Sequence, residues 1–237
     1  MTRKRSNPRI LEPFLLNQMR TFQFAIREDQ PLKVLCLGAH SDDIEIGCGG
    51  AILRLLSEYS DAEVHWVVLG SRGQRNREAL ASAKKFLADA KKKKIIIKNF
   101  KESFFPYVGG EIKDFFEDLK KSVFPDLIFT HYHHDLHQDH RLVSELTWNT
   151  FRNHFILEYE IIKYDGDFGA PNFFIHLDAG ICRNKIDFVV DSFRSQGNRD
   201  WFTRDAFMSA LRIRGIESKA PGKYAEAFYC RKMVWLP

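Results

Sequence analysis

The feature that most constrains the fold is a regular alternation of short apolar runs and helix-like segments that begins near residue 32. Apolar runs rich in β-branched residues occupy 33–39, 63–69, 95–98, 126–130 and 156–163. Segments with helical periodicity lie between them, at 48–58, 75–90, 111–122 and 139–152. Strands that alternate with helices in this way predict an α/β fold of three layers, with a mostly parallel central sheet.

Two polar clusters follow predicted strands and therefore share one edge of that sheet. The first spans 38–50 and the second spans 131–140, which holds five of the nine histidines. Right-handed crossovers place the carboxyl ends of parallel strands together, and open α/β sheets bind their ligands at that edge. We therefore expect both clusters to contribute to one site.

The first cluster contains His40, Asp42 and Asp43. A strand-to-helix turn can aim His40 and Asp43 in one direction, and a further imidazole would complete a set of two histidines and one carboxylate. Three protein ligands leave a coordination position open for water, as in catalytic zinc sites. Asp42, beside these ligands, is then a candidate proton acceptor. The alternative is an Asx-type turn at 41–43 that caps the following helix.

The second cluster places His137 and His140 on one helical face, three residues apart. One of them can bind the metal, while the other stabilises an oxyanion or acts as a general acid. Asp135 and Asp139 are available to orient these imidazoles from behind, as metal sites commonly require. His131 is surplus to a site with one metal ion, and a loop or pocket-wall role is favoured for it.

Three further residues are candidates for substrate contact: Arg72, Asp135 and His131. Arg72 follows the 63–69 strand and could hold a substrate hydroxyl or phosphate at the same sheet edge. Three glycines are predicted to open the helix after the first cluster, where they permit close packing and expose backbone N–H groups: Gly47, Gly49 and Gly50.

Composition bounds the remaining possibilities. The chain carries 36 Lys and Arg against 31 Asp and Glu, a net charge of +5, which fits weak attraction to phosphate-bearing partners. The four cysteines are scattered, which favours a reduced, cytoplasmic setting. No apolar run approaches the roughly 20 residues of a membrane span, and no signal-peptide pattern is present. The sequence leaves the oligomeric state open.

The predicted organisation is a basic tail with a lead-in helix at 1–31, followed by a single domain at 32–237. The core motifs fall within 33–165, and 166–237 is expected to shape the substrate site.

With these residues in place, the chain resembles the PIG-L/LmbE family of zinc-dependent N-deacetylases. The family motif A-H-P-D-D-E is similar to residues 39–44, and its H-x-D-H motif is matched by residues 137–140. Weaker agreements lie at 71–79 and in the Tyr-Ala-Glu-Ala-Phe segment at 224–228. The resemblance covers 33–165 well and the remainder thinly.

The resemblance implies a Rossmann-like fold with zinc bound by His40, Asp43 and His140, although Fe²⁺ suits the same donors. It implies that Asp42 is the general base, and that His137, paired with Asp139, stabilises the oxyanion or acts as the acid. The implied activity is hydrolysis of a linear amide, in which an N-acetyl group is removed from an amino sugar. The expected substrate is a small molecule, and its amino sugar could be linked to a nucleotide or a lipid. Two departures from the first motif stand out, Ser41 in place of its proline and Ile44 in place of its final acid.

Three alternatives remain open from the sequence. The first is an amidase that acts on a larger thiol-sugar conjugate or on another acyl group. The second is a binding module for nucleotides or nucleic acid, which the Asp- and His-rich edge and the absence of interleaved basic and aromatic residues disfavour. The third is a pseudo-enzyme with a structural metal, against which the intact Asp42 argues.

Overall fold

The computed structural model describes residues 30–234. The predicted basic tail and lead-in helix (1–31) lie outside the described residues, except for residues 30 and 31. Within these residues, seven strands and six α-helices follow one another along the chain: β1 (Lys33–Gly38), α1 (Asp43–Glu58), β2 (Glu63–Val68), α2 (Gly73–Phe86), β3 (Lys92–Ile97), α3 (Gly109–Ser122), β4 (Leu127–His131), α4 (Gln138–Thr150), β5 (Phe155–Tyr159), β6 (Phe173–Leu177), α5 (Ala179–Ser192), α6 (Arg204–Glu217) and β7 (Tyr224–Tyr229).

These strands form one sheet in the order β3-β2-β1-β4-β5-β7-β6. The first five strands by position run parallel, and β7 pairs antiparallel with both β5 and β6. The expected mostly parallel α/β fold is thereby confirmed. Because β1 and β4 are neighbours, the two polar loops that follow them lie side by side at the carboxyl edge.

Helices cover the sheet on both faces and bury an apolar core beneath each. Successive residues of β1 belong to different cores, with Cys36 in one and Leu37 in the other, because strand side chains alternate between faces. Both side chains are fully buried, which explains why the strand is apolar along its length. The two loops at the carboxyl edge therefore start from a rigid base.

The first helix begins earlier than predicted, at Asp43 instead of residue 48. Acidic residues in the first turn, Asp43 and Glu45, favour this start because they face the positive end of the helix dipole. The prediction that Gly47, Gly49 and Gly50 open the helix is therefore wrong, since they lie inside it. Close packing is confirmed: a Cβ on Gly47 would lie 2.2 Å from the ring of Tyr159.

The C-terminal part departs most from the predicted pattern. Strand β5 ends at Tyr159, whereas the sequence pattern extends to residue 163. Strand β7 was not predicted from periodicity, and it inserts between β5 and β6.

Among residues 30–234, no helix combines the length and apolarity needed to cross a membrane. The single-domain boundaries and the cytoplasmic location stay predictions.

Candidate active site

Two strand ends and two helix starts meet to form the site. Strand β1 leads through His40 into α1, and strand β4 leads through a polar loop into α4, which begins at Gln138. His40 and Asp42 lie just before α1, Asp43 begins that helix, and Asp139 and His140 lie in the first turn of α4; all five are at most 9% exposed. Polar side chains buried to this extent need partners, which they find in one another and in neighbouring residues of the site.

Three atoms that can accept a cation converge at the centre of the site. His40 Nδ1 lies 3.1 Å from His140 Nε2 and 3.5 Å from Asp43 Oδ2. The Asp43 oxygen is also 3.5 Å from His140 Nε2, which closes the triangle. The structure thus brings together the three residues predicted as metal ligands.

Two carboxylates behind this triangle set which ring nitrogen faces the centre. Asp135 Oδ2 lies 2.9 Å from His140 Nδ1, and Asp139 Oδ2 lies 3.0 Å from His40 Nε2. An imidazole that donates its N–H to such a carboxylate presents the lone pair of its other nitrogen to the centre. Asp139 is itself held by the backbone N–H groups of Ser103 and Phe105.

Charge balance within the site favours a cation at its centre. Burial lowers the pKa of His40, but the carboxylates of Asp43 and Asp139 outweigh that effect and raise the pKa to about 10. Burial and the neighbouring His131 lower the pKa of His140 to about 3, against the opposing carboxylates of Asp43 and Asp135. The buried carboxylates therefore draw one positive charge into the cluster, which a proton on His40 supplies when no other cation does.

The spacing of the triangle suits a divalent transition metal. Four tetrahedral ligands at about 2.0–2.1 Å from zinc lie about 3.3 Å from one another, close to the 3.1–3.5 Å found here. Two sets of three residues could each provide the metal donors, and both include His140. The first set also contains His40 and His137, and the second also contains Asp43 and His131. His131 Nε2 is already occupied by the N–H of Ala39 at 3.0 Å, which disfavours the second set.

Asp42 lies at the N-cap of α1, but its side chain makes no capping hydrogen bond. The Asx-turn alternative is therefore not supported at this residue. Instead Asp42 Oδ1 accepts a 2.9 Å hydrogen bond from Arg75, which also contacts Glu102 at 2.9 Å. Burial raises the pKa of Asp42 to about 6, against the opposing charge of Arg75. A carboxylate with this pKa is largely ionised at neutral pH and can still take up a proton.

His137 lies at the N-cap of α4, at the edge of the cluster. Its Nδ1 accepts the backbone N–H of Asp139 at 3.2 Å, so Nε2 carries the ring proton when the imidazole is neutral. Burial and the nearby His40 lower the pKa of His137, which favours that neutral form. The resemblance pairs His137 with the Asp139 carboxylate, whereas in the structure that carboxylate faces His40.

The three candidate substrate contacts occupy different environments. Arg72 donates to the backbone oxygen of Asn99 through two of its nitrogens, at 2.9 and 2.6 Å. Asp135 is buried behind His140 and also pairs with Lys163. His131 is fully buried, with Nε2 3.1 Å from Asp43 Oδ2 and 3.2 Å from the hydroxyl of Tyr159. Asp135 thus orients His140 from behind, and His131 is buried beside Asp43. Substrate contact stays a prediction for all three residues.

Sequence reasoning missed three residues at the site: Arg75, Glu102 and Tyr159. Arg75 lies one helical turn beyond Arg72, and with Arg77 the polar start of α2 offered three arginines and no means of choosing among them. Tyr159 ends β5 and donates to the backbone oxygen of Leu37 at 2.6 Å, a contact across 122 residues that no local pattern indicates.

Glu45 follows the position where the first motif lacks its final acid. The side chain is fully buried, and neither carboxyl oxygen has a hydrogen-bond partner among the described residues. Burial raises the pKa of Glu45 well above its usual value, because the charged carboxylate is disfavoured away from water.

A comparison with protein-family profiles covers both loops of this site. Residues 35–151, which contain both loops, match the profile of the PIG-L family, described as GlcNAc-PI de-N-acetylase. Comparison with curated protein sequences yields no match.

Several solved structures share the fold. A conserved protein from Thermus thermophilus is 19% identical with a TM-score of 0.69, over 87% of this chain and 98% of that one. The N,N'-diacetylchitobiose deacetylase from Pyrococcus horikoshii is 23% identical with a TM-score of 0.61, over 83% and 82%. GalB, the 4-carboxy-2-hydroxymuconate hydratase from Pseudomonas putida, is 15% identical with a TM-score of 0.69, over 87% and 98%.

These identities show a common fold and leave the reaction open. The profile match is more specific, because it spans the segment that carries His40 and Asp43 in one loop and His137 and His140 in the other. Over residues 35–151, the chain therefore matches the PIG-L family.

Proposed function

We propose that the protein is a metal-dependent hydrolase that removes an N-acetyl group from an amino-sugar substrate and releases acetate. The observation that carries this proposal is the triangle of His40 Nδ1, Asp43 Oδ2 and His140 Nε2, whose three acceptor atoms lie 3.1–3.5 Å apart. Asp42 and His137 flank that triangle with the two functions that amide hydrolysis needs, a proton acceptor and a hydrogen-bond donor.

His40, Asp43 and His140 would hold the metal, with Asp139 and Asp135 orienting the two imidazoles. Zinc is the metal we propose, and Fe²⁺ is the alternative that suits the same donors. When bound, such an ion lowers the pKa of water and polarises an amide carbonyl.

Asp42 accepts the proton of the attacking water. Its pKa of about 6, raised by burial, keeps it ionised at neutral pH while leaving it basic enough to take that proton. Arg75 holds the Asp42 carboxylate through Oδ1 and is in turn held by Glu102, so the acceptor is fixed before the substrate arrives.

His137 donates a hydrogen bond to the oxyanion that develops on the carbonyl. The backbone N–H of Asp139 occupies Nδ1, and this contact leaves the protonated Nε2 as the donor. A neutral imidazole is a sufficient donor for this purpose, because charge builds on the oxygen only as the transition state forms. The C–N bond then breaks, and the proton that Asp42 has accepted passes to the leaving amine, so the products are acetate and the free amine.

The family description and the chitobiose deacetylase support an acetylated amino sugar as the substrate. A larger thiol-sugar conjugate, or another acyl group on the amine, remains the alternative within the same chemistry. A hydratase shares the fold, so fold alone does not select hydrolysis, and the proposal depends on the named side chains.

The experiment that tests the proposal measures bound metal and released acetate on one preparation. Bound zinc and iron are quantified in the wild type, in His140→Ala and in His134→Ala. The last is a matched control, because His134 is exposed and contacts Tyr132 and His133. Each protein is then assayed for acetate release from N-acetylglucosamine, its disaccharide and its phosphatidylinositol conjugate.

We expect about one metal ion per chain and acetate release in the wild type and His134→Ala, and neither in His140→Ala. A wild type that binds no metal after reconstitution contradicts the metal site. A metal-loaded wild type that releases no acetate from any of these substrates contradicts the N-acetyl assignment and moves it to the alternative acyl group.

A further inference from the structure

The Tyr-Ala-Glu-Ala-Phe segment at 224–228 forms most of β7, and none of its residues is among those assigned a role in the proposed reaction. Its central residue, Glu226, is 3% exposed. The Glu226 carboxylate accepts two backbone N–H groups from the middle of α1, that of Gly50 at 2.8 Å and that of Ala51 at 2.6 Å. A buried carboxylate from a distant strand is thus bonded to the main chain of the helix that carries Asp43.

Lys185 on α5 completes this arrangement from another direction. It is also 3% exposed, and its Nζ lies 2.5 Å from Glu226 Oε1 and 2.6 Å from the backbone oxygen of Ile46. In a regular α-helix the Ile46 oxygen is the partner of the Gly50 N–H. The ion pair therefore contacts both the donor and the acceptor of one helical rung.

This rung is directly connected to the proposed base. The N–H of Ile46 donates to the backbone oxygen of Asp42 at 3.1 Å, and the oxygen of Ile46 accepts from Lys185. The first turn of α1 is thereby held between the Asp42 loop at one end and the buried ion pair at the other. Gly50 is required for this contact, because a Cβ there would lie 2.9 Å from Glu226 Oε1.

Stability alone explains such an arrangement poorly. Replacing both members of a buried ion pair by apolar groups is often neutral or stabilising, because desolvation offsets the attraction between the charges. Hydrogen bonds from a charge pair to a helix backbone do, however, define the position of that helix. The position of a helix matters most where residues at its start must contact residues of another element. Here Asp42 and Asp43, at the start of α1, must lie close to His140 of α4.

We propose that Glu226 and Lys185 are positioning residues for the active site, which set the first turn of α1 so that Asp42 and Asp43 meet the histidines of α4. This inference rests on the proposed function, since it assigns the pair to the same reaction. It gives the C-terminal segment a role in catalysis without contact with substrate or metal.

Two variants and one control test the proposal. Glu226→Gln removes the charge, and Lys185→Met/Glu226→Gln removes both charges and avoids leaving a buried lysine unpaired. The control is Glu160→Gln, which removes the charge from a less deeply buried pair with Arg214, whose nitrogens lie 2.6 and 2.9 Å from the Glu160 oxygens. Three properties are measured: backbone hydrogen exchange of 43–51 in the metal-free protein, Co²⁺ affinity from its visible spectrum, and kcat with KM.

We expect hydrogen exchange in 43–51 to accelerate at least tenfold in the metal-free double variant and to remain at the wild-type rate in Glu160→Gln. Co²⁺ affinity should fall about 10-fold or more, as is typical when the support of a metal site is lost. The kcat should fall while KM changes little. The proposal is overturned if the double variant folds and its hydrogen exchange, Co²⁺ affinity and kcat all equal those of the wild type. It is also overturned if neither variant folds.

Failure of the proposed function is distinguishable from failure of this inference. A wild type that neither binds Co²⁺ nor releases acetate contradicts the function. Exchange of 43–51 in metal-free protein still reports whether the ion pair holds the helix. A wild type that binds Co²⁺ and releases acetate, beside unaffected variants, contradicts only the positioning role.

Discussion

The two parts of the sheet differ in what they contribute to the site. Residues 33–159 form five parallel strands and supply every proposed ligand, base and oxyanion donor from loops at one edge. Residues 173–229 add β6, β7 and two helices, and the groups they direct toward α1 are Lys185 and Glu226. Reactive groups thus come from loop ends in the first part, while the second part contacts the main chain of the helix beneath them.

This difference has a physical basis. Reactive groups must be reachable from solvent, and parallel strand ends provide a shared rim of loops. Residues that hold a helix in place are most effective where water is excluded, because charge-assisted hydrogen bonds are stronger there. If this division is correct, substitutions in the first part change the chemistry, and substitutions in the second part change stability or helix position.

The largest effect is expected at Asp42. Asp42→Asn retains the size and the contact with Arg75 but cannot accept a proton, so kcat should fall by roughly 100- to 10,000-fold. Metal content should remain near one per chain, because Asp42 is outside the ligand triangle. Steady-state kinetics with metal analysis on the same sample measure both. A variant with near-normal kcat would remove Asp42 as the base.

His137 should have the next largest effect. His137→Ala removes the donor to the oxyanion, and the expected loss is about 100- to 1,000-fold in kcat, as for other single oxyanion donors. His137 is outside the triangle, so we expect metal affinity to change much less than in His140→Ala. Loss of metal together with activity would instead favour the donor set of His40, His137 and His140.

Asp135 tests the support of a ligand within the first part. Asp135→Asn should weaken metal binding by about 10- to 100-fold, because His140 loses the carboxylate that orients its ring. The kcat at saturating metal should fall less than in Asp42→Asn. Metal titration of the apoprotein measures the affinity. An unchanged affinity would show that the contact between Asp135 and His140 does not support metal binding.

Gly215 tests the second part and should have the smallest effect on the reaction. A Cβ at Gly215 would lie 2.2 Å from the backbone oxygen of Lys223, so Gly215→Ala should cost about 1–3 kcal/mol in unfolding free energy by overpacking. Gly110→Ala is the matched control, since no atom lies within 4 Å of a Cβ there. Thermal unfolding measures the stability, and we expect kcat well below the melting temperature to stay close to wild type.

The parallel strands were predictable because their signals are local. The strands β1 and β4 each contain a short apolar run bounded by polar residues, and both of their faces are buried, so the pattern depends only on neighbouring residues. Strand β7 lacked such a signal, because Glu226 interrupts its apolar run. That charge is buried only because Lys185, 41 residues away along the chain, is brought beside it.

The sequence by itself determined the α/β architecture and the common edge for its two polar loops, and it predicted that His40 and Asp43 lie near the histidines of the second loop. These conclusions depend on periodicity and on strand direction, which are properties of short segments and of chain connectivity. The choice of His140 among those histidines came from the family resemblance. Only the tertiary structure decided which group contacts which: Asp139 orients His40, Arg75 holds Asp42, and Glu226 bonds to α1. Such contacts depend on side-chain positions to within about an ångström across elements far apart in sequence, and no local pattern carries that information.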